Sequence, residues 1–236
     1  MSLLTIIQNA CTEIGIDSPS LVVTNTDKNI LQMYQLANRA GKFLAQRFCW
    51  EELTQEAIIT TLAQEDQGFV DTLMPGFNWL LYKTQWNRDF RMGVYGALYP
   101  SEWQFLKASN ITGPFPNFRI RGKKLLYLPA PTAGQEIGLE YVSKYWCKSS
   151  SGTAKAAFTE DDDVGVIDEE LITLQLKWLF KSAKGLDYIE DQRIAESVTE
   201  NAISRSNSPR TLSMSKRGTK MPGDAGLLIP DGNWMA

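Results

Sequence analysis

The stretch from Asn117 to Tyr145 constrains the fold of this chain more than any other. Phe118 and Ile120, Leu126 and Leu128, and Ile137, Leu139 and Tyr141 fall on alternate positions, the period of half-buried antiparallel strands. A tight turn at Gly122 and a loop running Pro129-Ala130-Pro131-Thr132-Ala133-Gly134 separate the three segments. This predicts three strands in a row, and helical periods lie on both sides of them. The expected class is therefore α+β. It is a helical bundle of about four helices with an inserted small antiparallel β-sandwich or barrel and an extended C-terminal arm.

The helical periods are local and legible. Ser2 is a plausible N-cap, Leu3, Ile6, Ile7, Ala10, Cys11 and Ile14 follow at helical spacing, and Gly15 ends the run. A second helix is expected from Thr26 or Asp27, with Ile30, Tyr34, Ala37, Gly41, Leu44 and Phe48 as its stripe. Arg39, Lys42 and Arg47 fall off that stripe and read as a solvated face. Cys11 and Cys49 read as core residues on apolar helix faces. After the β block, Asp168 should cap a helix with Glu169 and Glu170 in its first turn, Lys177, Lys181 and Lys184 toward its end, and Gly185 as the stop. Leu171, Leu174, Trp178, Ile172, Leu176 and Leu179 give it a wide apolar face. A fourth helix is expected from about Asp187 to Ser206, with Ile194, Val198 and Ala202 on one face. The first two helices cannot bury their stripes without the last two.

Between residues 51 and 147 the pattern predicts roughly six strands and one short helix. Leu53 to Leu62 reads as a strand, Gln64 to Gly68 as a turn, Phe69 as the start of a short strand, and Asn78 to Trp86 as a further strand. The short helix covers Pro100 to Ala108 with Ser101 as its cap. Lys148 to Thr153 reads as a linker, and the acidic run Glu160-Asp161-Asp162-Asp163 as a solvated loop leading into the next helix. These readings divide the chain into a helical platform at 1–50 and 153–206, an inserted β domain at 51–152 and an arm at 207–236.

Composition limits the chemistry. Hydrophobic residues make up 43% of the chain and charged residues 22%, enough for a sizeable core. No histidine is present, which excludes Ser-His-Asp and Cys-His catalysis and removes the commonest metal ligand. The three cysteines form no Cys-x-x-Cys pair. Glycine loops of the Walker or dinucleotide type are missing. Glu51 and Glu52 are the best acid pair by sequence, but adjacent side chains point apart and serve poorly as acid and base. The acidic run at 160–163 lacks the ligand alternation of a calcium loop. Catalytic, metal and cofactor sites are therefore not expected. The one basic–aromatic cluster is Phe118, Arg119, Arg121, Lys123, Lys124 and Tyr127, which ordinary inside–outside alternation explains better than nucleic-acid readout. Met1 to Ile14 lacks the basic start of a signal peptide, and no apolar run approaches the ~18 residues of a membrane span, so a cytoplasmic location is expected.

Net charge is −3 but segregated. Residues 151–206 carry 6 basic and 12 acidic side chains, whereas 207–236 carry 4 and 2. The basic residues there are Arg210, Lys216, Arg217 and Lys220. Leu227, Leu228, Ile229 and Trp234 follow beyond several Gly and Pro residues. A plain solvated tail would not need that second apolar cluster, so the arm is expected to dock on something, its own subunit included.

Six phrases then occur in order: Met74-Pro75-Gly76-Phe77, Trp86-Asn87-Arg88, Pro100 to Gln104, Phe118 to Gly122, Pro129 to Gly134, and Tyr141-Val142-Ser143. Together they resemble the head-to-tail adaptor proteins of tailed bacteriophages, in particular the tubular tail adaptors of short-tailed phages. The resemblance covers nearly the whole chain and implies a structural virion protein of the neck, assembled in the host cytoplasm. It implies a homo-oligomeric ring, usually of twelve copies, between a portal protein and a nozzle or tail-tube protein. Genomic DNA would pass through its channel without sequence-specific binding. Under it, the acidic segment 160–170 would face a partner or line the channel. The interface residues would be Arg210, Lys216, Arg217, Lys220, Leu227, Leu228, Ile229 and Trp234, gripping a neighbouring subunit or the portal. The other readings are a cell-wall glycan hydrolase built from distant carboxylates, and a carbohydrate- or receptor-binding tail module using the aromatics of the β insert.

Overall fold

The computed structural model describes residues 2–81, 83–109 and 116–206; the arm at 207–236 lies outside them. The fold is α+β. In chain order its elements are α1 (Leu3–Ile14), α2 (Lys28–Arg47), a 3-10 turn (Glu51–Leu53), β1 (Thr54–Thr60), β2 (Asp66–Phe69), α3 (Val70–Leu73), β3 (Phe77–Leu80), β4 (Trp86–Asn87), β5 (Met92–Gly93) and α4 (Pro100–Ser109). They continue with β6 (Asn117–Arg121), β7 (Lys124–Leu128), β8 (Glu136–Ser143), β9 (Cys147–Lys148), β10 (Ala154–Lys155), β11 (Val164–Gly165), α5 (Glu169–Lys184) and α6 (Ile189–Ser206). The described residues group into two compact units, one drawn from 2–56, 74–80 and 140–206, the other from 57–73, 81, 83–109 and 116–139.

In the first unit, local chemistry sets the helix ends. Ser2 and Thr5 cap α1 reciprocally: each hydroxyl accepts the other residue's backbone N–H. Asp27 caps α2 and Asp168 caps α5. Gly15 and Gly185 close α1 and α5 in the left-handed region, with φ 81° and 71°. Helix α5 is the hub, packing against α1, α2 and α6. Leu3, Ile6, Ile7, Ala10 and Cys11 of α1, Ile30, Met33, Ala37, Ala40 and Leu44 of α2, and Leu171, Ile172, Leu176 and Phe180 of α5 make its core. Leu174, Trp178 and Leu179 are only half-buried. The inward face of α6 is Ala195 and Thr199, not the Ile194–Val198–Ala202 row; Ile194 is exposed. A helix with several short apolar rows does not announce which one it buries. Cys49 also departs from expectation. It lies beyond α2, is exposed, and accepts a hydrogen bond from Trp79 Nε1 at 3.4 Å.

The unit boundaries differ from 50/51 and 152/153. Residues 74–80 and 140–152 belong with the helices because they supply core side chains there. Trp146 is buried against Gly41 of α2 and edge-on to Phe158, with ring centroids 4.7 Å apart. The expected linker at 148–153 is the turn joining antiparallel β9 and β10, with Ser149 Oγ accepting the Thr153 N–H.

The second unit holds the antiparallel sheet β2-β7-β6 and the pairing of β4 with β5. Strand β8 runs through the division at 139/140. Ile137 and Gly138 pair with β4 in the second unit, and Tyr141 to Ser143 pair with β3 in the first. The three predicted strands of Asn117–Tyr145 are present, but β7 and β8 are not half-buried. Leu125, Leu126 and Tyr127 are buried in succession, as are Ile137, Gly138 and Leu139. β7 is the central strand of its sheet, and both its faces are covered. The predicted strand 78–86 is broken into β3 and β4. Phe69 ends β2 rather than beginning a strand, and the one-turn helix α3 follows. α4 begins at Pro100, not after Ser101. Proline suits the first helical position, and the Glu102 carboxylate accepts the Tyr99 N–H at 2.9 Å.

The β6–β7 hairpin turns through Gly122 and Lys123, with φ 58° and 60°. Positive φ at both central residues is the type I′ turn that matches strand twist. Gly122→Ala is expected to cost about 1 kcal/mol, read as a lower urea midpoint at unchanged slope.

Candidate interaction surface

The acidic run carries many polar contacts, and it is structural. Asp161 accepts the backbone N–H of Val22 at 3.0 Å and of Val23 at 2.8 Å, fixing the α1–α2 connector. Its carbonyl accepts the Leu4 N–H, and the carbonyl of Asp163 accepts the Leu3 N–H. These are unpaired donors of the first turn of α1. Asp163 is fully buried. One carboxylate oxygen accepts Lys155 Nζ at 2.8 Å, and the other accepts the N–H groups of Thr159 at 2.6 Å and Glu160 at 3.0 Å. Burial pushes the Asp163 pKa up, but Lys155 and the two N–H groups outweigh it and hold the carboxyl below its ordinary value. The expected solvated loop is therefore a clamp; of the three aspartates, only Asp162 is exposed.

A second ionic cluster joins three helices. Lys177 of α5 reaches Glu13 of α1 at 2.9 Å and Asp191 of α6 at 3.0 Å, and Lys181 also pairs with Asp191. The hydrogen bond to Glu13 is the main cause of the raised Lys177 pKa. Burial opposes ionisation of Asp191, but the two lysines win and lower its pKa. Asp191→Ala is expected to cost about 1–2 kcal/mol in urea melts at low salt, and less in ~1 M salt, because the pair is only partly buried. Next to this cluster, Leu186 and Ile189 stand exposed at the α5–α6 turn.

The second unit displays aromatic side chains. Tyr99 and Phe105 are exposed to 73% and 65%, and Phe69, Phe90 and Tyr95 are also exposed. Leu98, Ser101, Glu102, Phe105 and Leu106 line a shallow depression beside α4. The predicted basic–aromatic cluster does not assemble a stacking surface. Phe118 and Tyr127 point into the core, and Lys124 pairs with Asp66 while its ammonium lies 5.2 Å from the Phe69 ring centre. Glu51 and Glu52 are consecutive and exposed in the 3-10 turn.

The sequence-predicted interface residues Arg210, Lys216, Arg217, Lys220, Leu227, Leu228, Ile229 and Trp234 all lie outside the described residues. The sequence reading named the aromatics of the β insert only as a group; Tyr99 precedes α4 and Phe105 lies within it, a helix whose only fully buried residue is Trp103. That poverty of apolar period in α4 was the available signal. Among the described residues, no helix is long and apolar enough to cross a membrane. Compared with known proteins, the sequence matches no family model and no curated protein.

Proposed function

We propose that this chain is a structural adaptor that works as one copy in a ring, joining a portal vertex to a tail and extending the channel through which DNA passes. The observation that carries the reading is the order of its parts. Helices α1 and α2 precede the β-rich segment, α5 and α6 follow it, and both pairs return to one core around α5. The ordered phrases from Met74-Pro75-Gly76-Phe77 to Tyr141-Val142-Ser143 support the same reading, by resemblance to tail adaptors. The use of Asp161 and Asp163 to hold backbone is in keeping with a scaffold. Native mass and negative-stain images of the full chain, alone and mixed with a portal assembly, test it. Rings, or portal assemblies bearing added density, are the expected result. A monomer that ignores portal at micromolar concentration overturns it.

The exposed Tyr99, Phe105 and Phe90 favour one second reading, a carbohydrate-binding tail module, since sugars stack on such rings. A glycan screen separates the two: saturable binding lost in Tyr99→Ala or Phe105→Ala selects the module.

A further inference from the structure

The face of α6 and the sequence that follows it carry the same order of chemistry. At 100° per residue, Ile189, Glu196 and Glu200 lie within about 40° of one another around the helix. All three are exposed. Glu200 has Arg47 at 4.0 Å yet remains 72% exposed. Arg193 shares the face, but Glu190 neutralises it through hydrogen bonds of 2.6 and 3.0 Å. A strand of chain leaving Ser206 and turning back would meet Glu200, then Glu196, then the exposed Ile189 and Leu186. The sequence beyond Ser206 offers Arg210, Lys216, Arg217 and Lys220 first, and Leu227, Leu228 and Ile229 afterwards. Carboxylates are thus met by cations, and uncovered aliphatic side chains by aliphatic ones.

We propose that the chain's own C-terminal segment docks antiparallel on this face, its basic residues over Glu196 and Glu200 and Leu227–Ile229 over Leu186 and Ile189. The distances permit it. Ile189 to Glu200 spans about 17 Å of helix. The 22 residues from Ser206 to Leu228 reach about 70 Å at full extension. Asn207, Ser208 and Pro209, directly after Ser206, supply the residue types of the chain reversal this path needs. The tether also selects the occupant. A linker of this length sets an effective concentration on the order of 1 mM, well above that of a second copy at micromolar protein. The inference does not rest on the adaptor reading.

Disulfide trapping in the full chain tests it. Ile189→Cys and Leu228→Cys are introduced together with Cys49→Ser; the remaining Cys11 and Cys147 are buried. Diamide is the oxidant, and peptide mass spectrometry locates the bond. The expected result is a bond within one chain, formed about a hundredfold faster than any between chains at ~10 µM protein. It should form at least about tenfold faster than in a control pairing Phe43→Cys, exposed on α2, with Leu228→Cys. Glu196→Lys with Glu200→Lys should slow it at least about fivefold by reversing the attraction. Disulfides between chains alone, no disulfide, an equal rate at the Phe43 control, or indifference to the charge reversal overturns the proposal. A chain that ignores portal yet traps the internal disulfide refutes the adaptor reading and leaves this inference standing.

Discussion

Replacing Asp163 with asparagine is expected to destabilise the first unit by about 3 kcal/mol at pH 7, the scale of a broken buried pair. The carboxylate is wholly buried and accepts from four donors: Lys155 Nζ, the Thr159 hydroxyl and the N–H groups of Thr159 and Glu160. An amide keeps one carbonyl oxygen and turns its NH2 toward donors on the other side. Either orientation leaves a buried donor without an acceptor. The loss reaches α1 because the carbonyls of Asp161 and Asp163 hold its first turn. The sign with pH follows from the lowered carboxyl pKa. The stabilisation is fully present above the ordinary carboxyl value of 3.8 and is lost as pH falls through the lower folded value. Urea midpoints of wild type and Asp163→Asn should therefore differ most at neutral pH and converge as pH falls through the lowered carboxyl value. Equal midpoints at pH 7 would refute the clamp.

Gly41→Ala is the second large expected effect, and its direction runs against helix propensity. Alanine in place of glycine within a helix ordinarily stabilises by up to about 1 kcal/mol. Here the added Cβ would clash with three atoms of the six-membered ring of Trp146, which is held edge-on by Phe158. Overpacking should outweigh the propensity gain and leave a net loss of about 2–3 kcal/mol. Combining Gly41→Ala with Trp146→Phe should recover part of it, giving a favourable coupling of at least about 1 kcal/mol in the double-mutant cycle. A single variant as stable as wild type would mean that α2 and Trp146 do not meet this closely.

What could be read beforehand divides by range of interaction. Ser2, Asp27, Asp168, Gly15 and Gly185 mark helix ends because a cap bonds within its own turn. The hairpin at Gly122 was legible for the same reason. Asp161 was not, because the N–H groups it holds, on Val22 and Val23, lie 139 and 138 residues away in sequence. The Gly41–Trp146 contact is likewise non-local, so residues 140–152 looked like part of the insert. Period misled at β7 and β8, where a central strand covered on both faces carries consecutive apolar residues. It misled at α6, where Ala195 and Thr199 form a less apolar row than Ile194 and Val198. As for the surface, the sequence marks Tyr99 and Phe105 as large and apolar, but only the packing leaves them uncovered.

The first unit draws its core from both sides of an intervening segment, and that has a consequence for synthesis on the ribosome. Helices α1 and α2 emerge early, with Leu3, Ile6, Ile7, Met33 and Leu44 uncovered until α5, the helix that seals them, is made. Arg47 and Lys184, the last residues of α2 and α5, are 137 positions apart. At about 5–20 residues per second that is a delay of roughly 7–27 s. The segments 57–73 and 81–139 of the second unit are synthesised within that interval. The nascent chain thus passes through a state with one unit able to close and the other holding an open apolar pair of helices. In that window an unfinished copy is most exposed to mispairing with another, and most in need of a holding chaperone.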